Sequence, residues 1–107
     1  MYAVNNMFPG PLIEANEGDE ILVHLTNDLD IPMTIHWHGI YQNGTAFMDG
    51  VPGVSQVSDS YLSILTTQCP IGTGVTFTYR FKVENQYGSY WWHSHYGNTL
   101  ADGIVGG

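Results

Sequence analysis

The sequence has few basic residues and no long apolar segment. Arg80 and Lys82 stand against ten Asp and Glu residues, so the formal net charge is −8. The negative net charge argues against nucleic acid or an anionic membrane surface as a partner, because both are polyanions and would repel the chain. No apolar run approaches the roughly 20 residues that a membrane-spanning helix requires. The opening "MYAVNNMFPGP" contains neither the basic nor the apolar region of a signal peptide.

Cysteine is also scarce, since Cys69 is the single one in 107 residues. An internal disulfide is therefore excluded. No histidine or basic residue flanks it in "TTQCPIG", so nothing indicates an activated nucleophile. Two interpretations remain open. The residue is a buried small apolar side chain, or its partner lies on sequence outside this chain.

Turn residues and period-two alternation dominate the chain. With 107 residues and 43% hydrophobic content, we expect one compact domain, residues 1–107. "EILVHLTN" and "VTFTYRFKV" alternate as half-buried antiparallel strands do, and Gly and Pro separate such segments. In the second stretch the residues predicted to face inward are Val75, Phe77, Tyr79, Phe81 and Val83. Short strands between turns predict an all-β sandwich or barrel.

Four of the five histidines occur as two His-x-His pairs. "MTIHWHGIYQ" contains His36 and His38, and "SYWWHSHYG" contains His93 and His95. In a strand, residues i and i+2 share a face and lie about 7 Å apart. Two such strands brought together would gather four imidazoles, which suit copper, zinc, iron or nickel. The spacing within each pair favours two histidines that bind two neighbouring ions. Added strand curvature would instead let a single ion bind both histidines of a pair.

Other interpretations apply to the remaining residues of these stretches. His24 is interpreted as a structural histidine with satisfied hydrogen bonds. The large aromatic residues are interpreted as core and wall packing that also holds the imidazoles in place: Trp37, Trp91, Trp92 and Tyr96. Zinc is the main rival metal, but structural zinc usually recruits cysteine, and none is near.

"HWHGIYQNGTAFMDGVPG" and "YWWHSHYGNTLADGIVG", with "TQCPIGTGVTFTYRF" between them, resemble the first cupredoxin-like domain of multicopper oxidases. That family includes laccases, ascorbate oxidases and ferroxidases, and the resemblance is strongest to its fungal, laccase-like branch. It implies a Greek-key β-sandwich of the plastocyanin-like type. It also implies copper as cofactor, in an enzyme that couples four one-electron oxidations of a substrate to the reduction of O2 to two waters.

The resemblance assigns roles by motif position. His36 would bind the type 2 copper of a trinuclear cluster, His38 and His93 would share one type 3 copper, and His95 would bind the other. Asp49, in "MDG", matches an acidic residue that assists proton delivery in the family, although a plain turn aspartate is the alternative. Asp102, in "ADG", is a weaker candidate of the same kind.

The chain also departs from the family pattern. A complete enzyme has two or three such domains, takes four more cluster histidines from its last domain and carries a Cys-His segment for the type 1 copper. No such segment occurs here, and by resemblance Cys69 instead forms a disulfide with another part of the full protein. We therefore expect the isolated chain to bind copper weakly and to be inactive. A non-catalytic copper- or zinc-binding module is one alternative. A zinc hydrolase using three histidines, with Asp49 as its base, is another.

Two segments differ in length from the family. Its first strand, expected before "YAVNNMFPGP", is missing. Residues 57–68 intervene where the family runs almost directly from "DGVPGVSQ" to "CPI". We expect this insertion to lie on the surface. The family implies secretion, and the reducing substrate is left open among phenols, ascorbate and Fe(II).

Overall fold

The computed structural model describes residues 1–51 and 70–107, and these form an all-β structure. The predicted insertion 57–68 and Cys69 lie outside the described residues. In chain order the strands are β1 (Glu20–Thr26), β2 (Ile35–His38), β3 (Thr76–Lys82), β4 (Trp91–Ser94) and β5 (Val105–Gly106). One 3-10 turn, Ala46–Met48, follows β2. The all-β prediction is confirmed. In the part of the chain that is described, no helix is long and apolar enough to cross a membrane.

The strands form two antiparallel sheets. β1 pairs with β3 along its whole length, from Glu20 opposite Lys82 to Thr26 opposite Thr76. The second sheet has the order β2-β4-β5, with β4 in the centre. Because β2 and β4 are far apart in sequence, this pairing is the step that brings the two His-x-His motifs together.

Alternation along β1 and β3 follows the predicted pattern except at one residue. Tyr79, Phe81 and Val83 are buried and Phe77 is half-buried. Val75, predicted to face inward, is 50% exposed, so that prediction is wrong. Val75 precedes β3 and its backbone closes a turn, donating to the carbonyl of Gly72 and accepting from the amide of Asn27. Val75 therefore lies outside the strand, and the alternation of buried and exposed residues does not extend to it.

Aromatic side chains from both sheets meet in the core. The ring centroid of Trp37, on β2, lies 5.4 Å from that of Tyr79 and 5.0 Å from that of Phe81, both on β3. Burying side chains of this size supplies about 1.5–3 kcal/mol each from area removed from water. The other buried apolar residues of this cluster are Met33, Ile35, Ile71, Trp92 and Ile104.

One hydrogen bond joins the sheets through the core. The backbone N–H of Ile35 donates to the hydroxyl oxygen of Tyr79 over 2.9 Å. Ile35 is the first residue of β2, and Tyr79 is fully buried. Burial raises the pKa of Tyr79 to about 12, and the bond from Ile35 opposes this shift only partly. The phenol of β3 therefore fixes the start of the strand that carries His36 and His38.

We predict that Tyr79→Phe destabilises the protein by about 1–3 kcal/mol. The substitution keeps the ring but leaves the buried N–H of Ile35 without this acceptor. The free energy of unfolding in urea measures the effect. Tyr41→Phe is the matched control, because Tyr41 is 68% exposed and its loss of a hydroxyl should change stability little.

Comparison of the wild type with Tyr79→Phe also tests the pKa of Tyr79. Its pKa in the folded state, about 12, lies above the ordinary value of 10.0. The contribution of the protonated Tyr79 phenol to the free energy of unfolding is therefore complete below pH 10. It is lost as the pH rises towards 12, because the phenol loses its proton at a lower pH in the unfolded chain than in the folded one. The difference in unfolding free energy between wild type and Tyr79→Phe should narrow across that range. A constant difference would contradict the buried phenol.

Candidate metal centre

Pairing of β2 with β4 places the histidines of two distant segments side by side. His36 lies directly opposite His93, and His38 lies opposite Trp91. Because side chains alternate along each strand, Trp37 and Trp92 point to the other face, into the core. The predicted shared face of the two motifs is therefore observed.

The four predicted imidazoles converge on this face. The ring centroid of His36 lies 5.7 Å from that of His38, 5.3 Å from His93 and 5.5 Å from His95. The ring centroids of His93 and His95 are 5.9 Å apart, with the planes inclined by 28°. A tighter subset also exists, because the nitrogens of His36, His38 and His93 lie within 4.8 Å of one another.

His95 lies just beyond the end of β4 and is held there by the backbone. Its N–H donates to the carbonyl of Thr34 over 3.1 Å, which continues the β2–β4 pairing by one step. The hydroxyls of Ser94 and Thr99 hydrogen-bond to each other, and Thr99 also donates to the carbonyl of Tyr96. These bonds fold the segment after His95 back onto the strand.

Hydrogen bonds orient two of the rings. The Nδ1 of His36 lies 2.8 Å from the carbonyl oxygen of Asp49 and 2.9 Å from its carboxylate Oδ1. The Nδ1 of His93 lies 2.9 Å from the carbonyl of Ser94. A neutral imidazole that donates through Nδ1 keeps its lone pair on Nε2. These contacts engage Nδ1 in both residues, so Nε2 is the ring nitrogen that they leave for a metal.

Burial favours the neutral form of His93. Removal from water lowers the pKa of His93, and repulsion from nearby histidines adds to this effect, while the bond to the Ser94 carbonyl opposes it. The group is therefore uncharged at neutral pH, and neutral imidazole is the form that binds metals.

One pair of imidazole nitrogens lies at a spacing that fits one metal ion. The Nδ1 of His38 lies 3.4 Å from the Nε2 of His93. Two ligand nitrogens on one tetrahedral ion, with bonds of about 2.0–2.1 Å, lie about 3.3–3.4 Å apart. The donor set and this spacing are thus compatible with a first-row transition metal shared across the strands.

A glycine brings Asp49 against His36. Gly50 is buried, has a φ of +76°, and a Cβ added there would overlap the carbonyl group of Ile35 on β2. The loop backbone can approach β2 this closely because residue 50 has no side chain. This requirement was not part of the sequence prediction. Its only signal was the Asp-Gly pair in "MDG".

Trp91 covers one side of the histidine cluster. Its ring centroid lies 4.9 Å from His38 and 4.3 Å from His93, with the planes tilted by 31° and 33°. The indole is 40% exposed, whereas the neighbouring Trp92 is buried in the core. Trp91 therefore packs on two candidate ligands and separates them from solvent on that side.

The other candidates lie apart from the cluster. His24 is exposed on β1, where its Nδ1 lies 2.7 Å from the Thr78 hydroxyl on β3. This arrangement agrees with a structural histidine. The backbone of Asp102 accepts from Tyr2 and donates to Asn98, and within residues 1–51 and 70–107 no contact joins its carboxylate to a histidine.

The family of this chain follows from comparison with known proteins. The family model described as "Multicopper oxidase" matches residues 1–59 and 63–107. The chain belongs to the multicopper oxidase family. A laccase from Cryptococcus neoformans, Laccase-1, is 58% identical over 106 residues, which is 99% of this chain and 15% of that protein. The chain thus spans about a seventh of this relative's length.

Solved structures agree with the family assignment. A variant of the laccase from B. aclada superposes with a TM-score of 0.81 at 45% identity, covering 95% of this chain and 17% of the other. Fet3p, described as a multicopper oxidase that functions in iron import, gives a TM-score of 0.79 at 40% identity, covering 94% and 17%. The cupredoxin-like fold expected from the sequence is confirmed.

We predict that Gly50→Ala destabilises the protein by roughly 2–4 kcal/mol. The methyl group of the alanine would push the loop away from Ile35, and this overpacking lowers the free energy of unfolding. A positive φ at a residue other than glycine lowers it further. Denaturant unfolding measures the loss. The displaced loop should also release His36 from Asp49, visible as a change in the imidazole resonances in NMR spectra.

Gly44→Ala provides the matched control. Gly44 has a φ of +73°, but among residues 1–51 and 70–107 no atom lies within 4 Å of an added Cβ. This variant should therefore lose only the backbone contribution, about 1–2 kcal/mol, and should leave the His36 resonances unchanged. Equal losses in the two variants would contradict the close approach of Gly50 to β2.

We also predict that Trp91→Ala weakens metal binding by roughly 10-fold, because the rings of His38 and His93 lose the indole that holds their orientation. Trp91→Phe keeps a flat ring on the same face and should restore most of the affinity. Cu(II) titration by calorimetry compares the three proteins, and circular dichroism checks that each is folded. Unchanged affinity in a folded Trp91→Ala variant would refute a positioning role.

Proposed function

We propose that the chain is the copper-binding first domain of a multicopper oxidase and supplies half of the histidine ligands of a trinuclear copper cluster. The convergence of four imidazoles on the β2–β4 face carries this proposal. Family membership makes copper the expected metal, and imidazole nitrogen donors fit it.

Individual roles are proposed residue by residue. His38 and His93 share one type 3 copper, a proposal supported by the 3.4 Å between their nitrogens across the two strands. His36 binds the type 2 copper through the Nε2 that its contacts with Asp49 leave free. His95 binds the second type 3 copper, in line with its place outside the closest group of three.

Asp49 has two proposed tasks at this site. Its carbonyl and carboxylate both contact the Nδ1 of His36, so it holds that ring in one orientation. Its side chain is 33% exposed, so the carboxylate can also exchange protons with water. The bound copper would supply the one-electron steps that O2 reduction requires. Because that reduction consumes protons, a carboxylate beside a ligand is suitably placed to deliver them.

The whole enzyme's chemistry requires more than this chain. The chain spans 15% of Laccase-1 and 17% of the B. aclada laccase. We propose that other domains of the same protein complete the cluster and carry the type 1 copper, with Cys69 linked to one of them. The partners of the full protein are then O2 and a small reducing substrate, and we propose that it works outside the cell.

Copper titration followed by electron paramagnetic resonance tests the site. The wild-type chain should bind Cu(II) with nitrogen hyperfine structure from imidazole ligands. His38→Ala should weaken binding by roughly 10-fold or more, because it removes one nitrogen of the pair that lies 3.4 Å apart. His24→Ala is the matched control, since His24 is an exposed histidine on the other sheet and should leave the spectrum unchanged.

The same copper-loaded sample tests the incomplete cluster. We expect no oxidation of a phenol and no O2 uptake, because half of the ligands and the electron entry site are supplied elsewhere. Phenol oxidation with O2 uptake that His95→Ala abolishes would overturn this expectation. Titrations in which His24→Ala and His38→Ala behave alike would instead refute the site itself.

A single bound ion is the second candidate. The nitrogens of His36, His38 and His93 lie within 4.8 Å of one another, which favours three histidine ligands and one open position. Such a set is typical of zinc as well as copper. Metal analysis after exposure to equal zinc and copper separates the two candidates: one zinc per chain, independent of His95, supports this alternative.

A further inference from the structure

We infer that Asn43 is a site of N-linked glycosylation. The residues Asn43, Gly44 and Thr45 form the acceptor pattern Asn-x-Thr, with no proline at the middle position or directly after the threonine. A three-residue pattern alone is a weak signal, so the inference depends on where the structure places it.

The structure places the pattern on an exposed turn. Asn43 and Gly44 are exposed, and they lie between the end of β2 and the 3-10 turn that starts at Ala46. Two backbone hydrogen bonds close the turn: the N–H of Asn43 donates to the carbonyl of Tyr41, and the N–H of Thr45 donates to the carbonyl of Gln42. In the part of the chain that is described, no hydrogen bond engages the side-chain amide of Asn43.

The surroundings leave room for a large substituent. Gly44 has a φ of +73°, and a Cβ added there would meet no atom of the described residues within 4 Å. The turn therefore projects from the sandwich. Asn43 also lies outside the core cluster and outside the candidate metal ligands. A glycan on Asn43 would sit on the segment that links His38 to Asp49 without replacing a contact of either residue.

The modification is a group transfer with a defined donor. The Nδ2 of Asn43 attacks the anomeric carbon of an oligosaccharide carried on a lipid diphosphate in the secretory pathway. A carbon–nitrogen bond forms, the bond from that carbon to the diphosphate oxygen breaks, the lipid diphosphate leaves, and the amide nitrogen loses one proton. No oxidant or reductant is required. The inference rests on the proposed passage of this protein through the secretory pathway.

Mass spectrometry of the secreted chain tests the site. The chain is expressed behind a yeast secretion signal, and endoglycosidase H then trims each glycan to one N-acetylglucosamine. Chymotryptic cleavage after Tyr41 and Phe47 releases residues 42–47. We expect that peptide to carry one N-acetylglucosamine. Deamidation of the Asn-Gly pair cannot imitate this mass.

Three variants make the test specific. Asn43→Gln and Thr45→Ala should each remove the sugar, and Thr45→Ser should retain it. Tyr87→Thr is the positive control, because it creates a second acceptor pattern at Asn85, on a turn where residue 87 is 91% exposed. An unmodified Asn43 in a chain that carries sugar at Asn85 would overturn the inference and leave the copper proposal untouched. A chain that is secreted without sugar at either asparagine would overturn it as well.

Discussion

Antiparallel pairing of β2 with β4, in the register that sets His36 opposite His93, is the constraint on which the rest of the structure depends. Side chains in a strand alternate between two faces, so a slip of one residue would move every side chain of β2 to the other face. The imidazoles would enter the core, and Trp37 would leave it. The same register therefore determines both the packing of the sandwich and the composition of the candidate metal centre.

Contacts from outside the two strands hold this register. The hydroxyl of Tyr79 accepts from the N–H of Ile35, and the ring of Trp37 packs on Tyr79 and Phe81 of the opposite sheet. On the other face, the loop at Gly50 approaches β2 directly and presents Asp49 to His36. Each contact would be lost in a shifted register.

Much of this arrangement could be predicted from the sequence, because it follows from periodicity. The two His-x-His motifs and the alternating aromatic residues predicted which side chains share a face, and the structure agrees for His36, His38 and Trp37. Motif resemblance added the family and the fold. The sequence also predicted that Trp91 holds the imidazoles in place. The close approach of Gly50 to β2 and the pairing that sets Trp91 opposite His38 could not be predicted. Both depend on which residues stand opposite each other across distant strands, and local pattern carries no such information. The error at Val75 has a similar cause, since alternation does not show where a sheet ends.

The two opposite faces of the same short strands serve different purposes, and this has a thermodynamic consequence. Trp37 and Trp92 belong to the core, while His36 and His93 belong to the metal centre, yet the residues alternate along β2 and β4. The histidine pairing therefore has no unfolding transition separate from that of the sandwich. A metal that binds only the folded form must then stabilise the whole domain by mass action. When the metal concentration exceeds the dissociation constant, this stabilisation grows with the logarithm of the ratio between the two. Metal supply would in this way act as a determinant of how much of the protein is folded.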